Sequence, residues 1–210
     1  LHVSIGRKWI DENALPRIRM VVHSLSFHLP IILIALALIR IQRFSIASAL
    51  GMEKSRMARD VLLGFAFWLA CLPFVALTAI GSSTFLQERG YAEELQYPLQ
   101  LLLDDSPLWL KVYSVLAVVI FVPVAEETLF RGIGIPAFSR VIGASGAVIL
   151  TSILFTLIHQ NIFAIAPIFV LSIGLSMAYV APGSIAVSIS MHAAYNLVSL
   201  LLFLLSPRGI

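Results

Sequence analysis

Phe121-Val-Pro-Val-Ala-Glu-Glu-Thr-Leu-Phe-Arg-Gly132 sets two acids, Glu126 and Glu127, and a base, Arg131, in an apolar run that extends back to Leu108. An ionisable side chain at the centre of a bilayer costs about 2.5–3.5 kcal/mol on insertion scales, and persists mainly where it pairs or does chemistry. Three charges within six residues of a membrane segment therefore need a reason. Two further polar marks stand in later apolar segments, as Phe155-Thr-Leu-Ile-His159 and as His192-Ala-Ala-Tyr-Asn196. Together they predict a water-containing polar site within the membrane.

Composition outside this run agrees. Of 210 residues, 60% are hydrophobic and 12% charged, whereas a soluble domain carries about a quarter charged residues. A membrane span needs about 20 mainly apolar residues. Residues 61–80, 108–130, 144–158, 162–180 and 185–205 qualify; a sixth run, 21–39, is interrupted by His23, His28 and Pro30. The expectation is an all-α, polytopic transmembrane helix bundle of about six spans. Residues 1–60 read as an interfacial arm, a first span and a basic connector. Residues 61–210 read as the bundle, with a catalytic core over 108–205.

The net charge of +3 comes from basic residues clustered near the start, among them Arg7, Lys8, Arg17, Arg19, Arg40, Arg43, Lys54, Arg56 and Arg59. Such clusters mark membrane flanks and contacts with anionic lipid. They come with no aromatic interleaving and no nucleic-acid-binding motif, so no nucleic acid partner is expected. Cys71 is the one cysteine, which excludes an intrachain disulfide. No signal peptide is evident, and a chain beginning with Leu1 suggests further sequence upstream.

Residues 82–106 form the longest polar connection and carry Glu88, Glu93, Glu94, Asp104 and Asp105. Leu86, Tyr91, Leu95, Leu99 and Leu102 recur there at three- to five-residue intervals, the pattern of a surface-lying amphipathic helix that could cover the site. Small residues cluster as Gly143-Ala-Ser-Gly-Ala147 and as Ser172, Gly174, Ser176 and Ala178. These read as positions of close helix approach, hence as packing.

Depth decides whether the polar marks can meet. If the third run continues as helix and turns near residues 136–143, Glu126 lies about 15–20 Å from that turn and His159 roughly 25 Å back up the next helix. His192 and Asn196 lie about 12–20 Å above a second turn at Ala181-Pro-Gly-Ser184 on the same face. All four fall within a band of about 10 Å, which a tilt or kink closes. Glu127 and Arg131 stand i,i+4 with the acid first, the favoured order for a helix ion pair. This suggests that Glu127 and Arg131 are structural and that Glu126 is the base.

Three chemistries fit these residues. In hydrolysis, Glu126 and His159 deprotonate a water, and Asn196 with a protonated His192 stabilises the resulting oxyanion. In a metal site, His159, His192 and Glu126 would ligate zinc; the motif is not His-Glu-x-x-His, and Asn196 would have no place. In a non-enzymatic reading, the same buried network serves a proton-coupled transporter or a membrane scaffold.

The order Glu126-Glu127-x-x-x-Arg131, Phe155-x-x-x-His159, His192-x-x-x-Asn196 resembles that of the CAAX protease and bacteriocin-processing family of intramembrane proteases, also called the Abi family. The resemblance covers about the last half of the chain. It implies a glutamate-dependent endopeptidase with Glu126, His159, His192 and Asn196 as catalytic residues, and with Glu127 and Arg131 holding the first motif in place. Phe155 belongs to the second motif as its support. It implies no cofactor, which weakens the zinc reading. The partners it implies are membrane lipids and a membrane-associated peptide or protein, lipidated or not. Eukaryotic members of that family trim the last three residues of prenylated proteins. The short loops here look bacterial, so the expected location is a bacterial plasma membrane.

Overall fold

A computed structural model describes residues 54–93, 97–103 and 105–206, together with 21–22, 26, 29–34, 37 and 40. The expected interfacial arm and much of the first run lie outside the described residues. Among these residues all regular structure is helical, and no strand occurs.

After a 3-10 turn at Lys54–Arg56, α1 runs over Met57–Gln87. A short α2 covers Tyr97–Leu103. Next comes a rod of α3 (Leu108–Leu116), a π-helical segment (Ala117–Phe121), α4 (Val122–Glu127) and a second π-helical segment (Thr128–Gly134), which continues into α5 (Ile135–Leu157) as far as a break at Gly143. A 3-10 turn at Ile162–Ala164 leads into α6 (Ile165–Val180), and α7 spans Ile185–Leu205.

Four helical stretches among the described residues are long and apolar enough to cross a membrane: Met57–Gln87, Leu108–Leu157, Ile162–Val180 and Ile185–Leu205. The second contains two expected runs. Gly143 interrupts it at φ 74°, ψ 169°, a conformation that a β-carbon would oppose. Beyond the break the chain turns back on itself. Gly134 lies against Thr151 and Phe130 against Phe155, an antiparallel pairing about the expected turn.

The polar connection is shorter than its sequence suggests. Residues 82–87 belong to α1, which closes in a turn at Glu88–Gly90. Within 82–106 the only other helix among the described residues is α2. The apolar spacing extended a membrane helix rather than forming one long surface helix. Glu94, Leu95 and Asp104 of the expected lid lie outside the described residues.

Register fixes where polar groups meet. The rod and α7 run antiparallel, bringing Gly132 to Ile185, Glu127 to His192 and Val118 to Asn196. The starts of α1 and α7 lie together, joined by Asp60 and Ser184. Much of the outer surface is apolar, as at Leu62, Leu69, Leu77, Ile80, Leu202 and Leu205. That surface suits lipid, and the polar residues turn inward.

Candidate active site

The Glu-Glu motif is built on irregular helix. Pro123 has no N–H, so it cannot donate to the preceding turn. Just before it the rod widens to π register, and the Val122 N–H reaches back five residues to the Ala117 carbonyl. The same step from Pro123 would reach Val118, whose carbonyl would then lack a backbone donor. Asn196 supplies one, as its Nδ2 donates to Val118 O at 2.8 Å. A second π segment follows Glu127 and ends where the Ile135 N–H reaches the Phe130 carbonyl. Such bulges add a residue to a turn and re-aim the side chains around it, and they are frequent at functional sites.

Between the two bulges the acids turn inward. Glu126 is 5% exposed, Glu127 and Arg131 are fully buried, and His192 is 3% exposed. Glu127 Oε1 accepts from Arg131 Nη1 and from His192 Nδ1, both at 2.9 Å. The expected i,i+4 pair is therefore present, with a histidine joined to it. Arg131 Nη2 donates to Ser172 O at 2.8 Å and to Ser172 Oγ at 2.7 Å. Ser172, expected only to let helices approach, holds a buried guanidinium. A small residue that is also an acceptor, on a helix facing an intramembrane arginine, is the signal that marked it.

Glu126 Oε2 lies 3.9 Å from His192 Nε2. That exceeds a direct hydrogen bond, yet one small oxygen species could touch both atoms. Because Glu127 is the carboxylate partner of Arg131, its oxygen accepts, and His192 Nδ1 carries the proton. His192 Nε2 then faces Glu126.

Phe155, 1% exposed, packs against the base of the site and both of its histidines. Its ring lies 5.2 Å from that of Phe130, 4.8 Å from the His159 ring and 5.9 Å from the His192 ring. The Arg131 guanidinium carbon lies 4.7 Å from its centroid, a cation–π distance. His159 follows at the end of α5, where its Nδ1 is 2.7 Å from Phe155 O. A carbonyl only accepts, so Nδ1 bears a hydrogen, which leaves Nε2 as the acceptor whenever the ring is neutral. His159 is only partly buried.

The structure thus brings Glu126, Glu127, Arg131, Phe155 and His192 into one cluster, with His159 on the Phe155 ring beside it. Asn196 lies one turn along α7 from His192, with one amide hydrogen committed to Val118. Among the described residues no three His, Cys, Asp or Glu side chains are grouped as metal ligands. Sequence reasoning also missed Asp60, fully buried at the start of α1. A lone acid at the edge of an apolar run reads as an interfacial flank.

Comparison with known proteins gives a family for the segment that carries the motifs. Residues 107–198 match a family model described as Rce1-like, type II CAAX prenyl endopeptidase. An Escherichia coli relative, described as an uncharacterized 24.3 kDa protein, is 28% identical over 160 residues, which cover 67% of this chain and 73% of that protein. No solved structure matches.

Proposed function

We propose that this integral membrane protein, which belongs through residues 107–198 to the Rce1-like family of type II CAAX prenyl endopeptidases, hydrolyses a peptide bond of a membrane-associated protein or peptide. The observation that carries the proposal is the buried cluster in which Glu126 Oε2 faces His192 Nε2 while Glu127 holds the other ring nitrogen.

Charge counting supports the chemistry. With Glu127 and Arg131 cancelling, one proton shared between Glu126 and His192 leaves the cluster neutral in either of two placements. On His192 it yields a carboxylate beside an imidazolium. Glu126, assisted by His159 Nε2, then accepts a proton from water as the water oxygen attacks the amide carbonyl carbon. The carbonyl oxygen becomes an oxyanion and accepts from His192 Nε2–H and from the Asn196 amide hydrogen not bonded to Val118. Collapse breaks the C–N bond, and the proton held by Glu126 passes to the leaving amine. Glu127 keeps His192 in the tautomer and orientation this needs. The steps use no metal; under the zinc alternative a chelator would abolish activity.

The substrate is a membrane-associated chain, lipidated or not, and the setting a bacterial plasma membrane. The test is peptide-end profiling of host membranes carrying the native chain or Glu126→Gln at matched levels. New termini that require Glu126 are the expected result. If termini do not differ while both proteins are folded and abundant, the proposal fails. A substrate-dependent proton flux in proteoliposomes would then favour a transporter.

A further inference from the structure

Outside the matched segment, one buried charge has no part in the chemistry above. Asp60, in the first turn of α1, is completely buried. Its Oδ1 accepts from Arg59 Nε at 3.2 Å and Nη2 at 3.0 Å, and the Arg59 side chain is 55% exposed. Its Oδ2 accepts from Ser184 Oγ at 2.8 Å. The buried carboxylate thus has a donor on each oxygen, one from its own helix and one from α7. It sits at the joint between two helices.

Ser184 is the N-cap residue of α7, and its side chain makes no cap hydrogen bond within its own helix. Its hydroxyl proton goes to Asp60. The carboxylate therefore lies at the start of a 21-residue helix, the end at which negative charge is favoured by the helix dipole. One turn further along α1, Gly64 repeats the contact. A β-carbon there would lie 2.6 Å from Ser190 Cβ, 2.7 Å from Val187 O and 2.9 Å from Met191 N. Asp60 and Gly64, i and i+4 on α1, grip α7 from its cap to the residue preceding His192. From Ser184 to His192 is about 12 Å of helix, too short for much play.

We infer that Asp60 is a positioning residue: by tethering the cap of α7 to α1 it sets the depth and rotation at which His192 meets Glu127. Ser184 is its partner, and Gly64 allows the backbones to touch. The catalytic consequence rests on the proposed function; the His192–Glu127 contact does not.

The test therefore reads that contact first. The full chain, labelled with 15N-histidine in lipid bilayers, gives a His192 Nδ1 signal assigned by its loss in His192→Gln. Asp60→Ala and Ser184→Ala are expected to shift or broaden that signal as its carboxylate hydrogen bond is lost. Asp60→Asn keeps an oxygen for Ser184 and is expected to retain it. Val75→Ala, which loosens the core elsewhere on α1, is expected to leave it in place. Ser184→Ala decides the matter if Asp60→Ala does not fold, because it leaves the Arg59–Asp60 pair intact. An unchanged signal in the folded tether variants, or an equal shift in Val75→Ala, overturns the inference. Where Glu126-dependent cleavage is measurable, Asp60→Ala should lower kcat on the order of 10- to 100-fold with little change in KM. If the native chain cleaves nothing, the protease reading fails and the spectroscopic result still decides the role of Asp60.

Discussion

Two long helical stretches here contain an internal proline and respond to it differently. In α1, Pro73 lies inside 31 residues of continuous α-helix. In the rod, Pro123 follows a π-helical segment, and a side chain from another helix meets the freed carbonyl. The buried carboxylate of α1 lies in its first turn, whereas the rod carries Glu126 and Glu127 far from either end. A membrane helix that only packs can remain regular. One that must present charges at mid-depth gives up regular hydrogen bonding around them, and neighbouring helices supply what is lost.

The largest expected effect tests whether that irregularity serves chemistry. Glu126→Gln keeps shape and removes a base, so cleavage should fall by about 10²–10⁴-fold with the unfolding midpoint nearly unchanged. Equal cleavage by native and variant protein would reduce the rod to another packing helix. Next comes Arg131→Met. It leaves Glu127 buried without its strongest partner, at a cost of about 3–5 kcal/mol; denaturant titration in mild detergent reads it. A change below 1 kcal/mol would mean that the pair carries little of the fold. Phe155→Ala removes the ring shared by Phe130, Arg131, His159 and His192, and should cost about 3–5 kcal/mol in the same titration. It should also weaken cleavage, since both histidines rest on that ring.

The three motifs were legible because each breaks a rule of membrane sequence: charge in lipid, or a histidine and an asparagine on an apolar face. Their convergence followed from helix rise and two turns, and Gly143 supplied the first of those turns. The bonding within the cluster was less legible. The Glu127–Arg131 pair follows from i,i+4 spacing alone, but the bond from His192 to Glu127 depends on antiparallel register between helices 65 residues apart. The π segments were invisible because π and α turns draw on the same residues, and Pro73 and Pro123 look alike in sequence. Asp60 was hidden for a similar reason, since an acid at a helix start is ordinary until a second helix is placed against it. The helical spacing of residues 82–106 misled because the first six of them continue α1.

The smallest expected effect separates the two prolines most sharply. If Asn196 serves the carbonyl that Pro123 orphans, Asn196→Ala leaves a part-buried acceptor without its donor and should cost about 1–3 kcal/mol. Pro123→Ala restores a backbone N–H able to reach that turn, so the asparagine becomes less necessary for stability. In the double variant the cost of Asn196→Ala should shrink, with a coupling of about 0.5–3 kcal/mol. Pro73→Ala, on a different helix, should show no such coupling. The same cycle read in kcat divides the roles of Asn196. As a brace alone, it would become dispensable for cleavage once Pro123 is replaced. As an oxyanion donor through its second amide hydrogen, it would still be needed in a protein whose stability no longer depends on it.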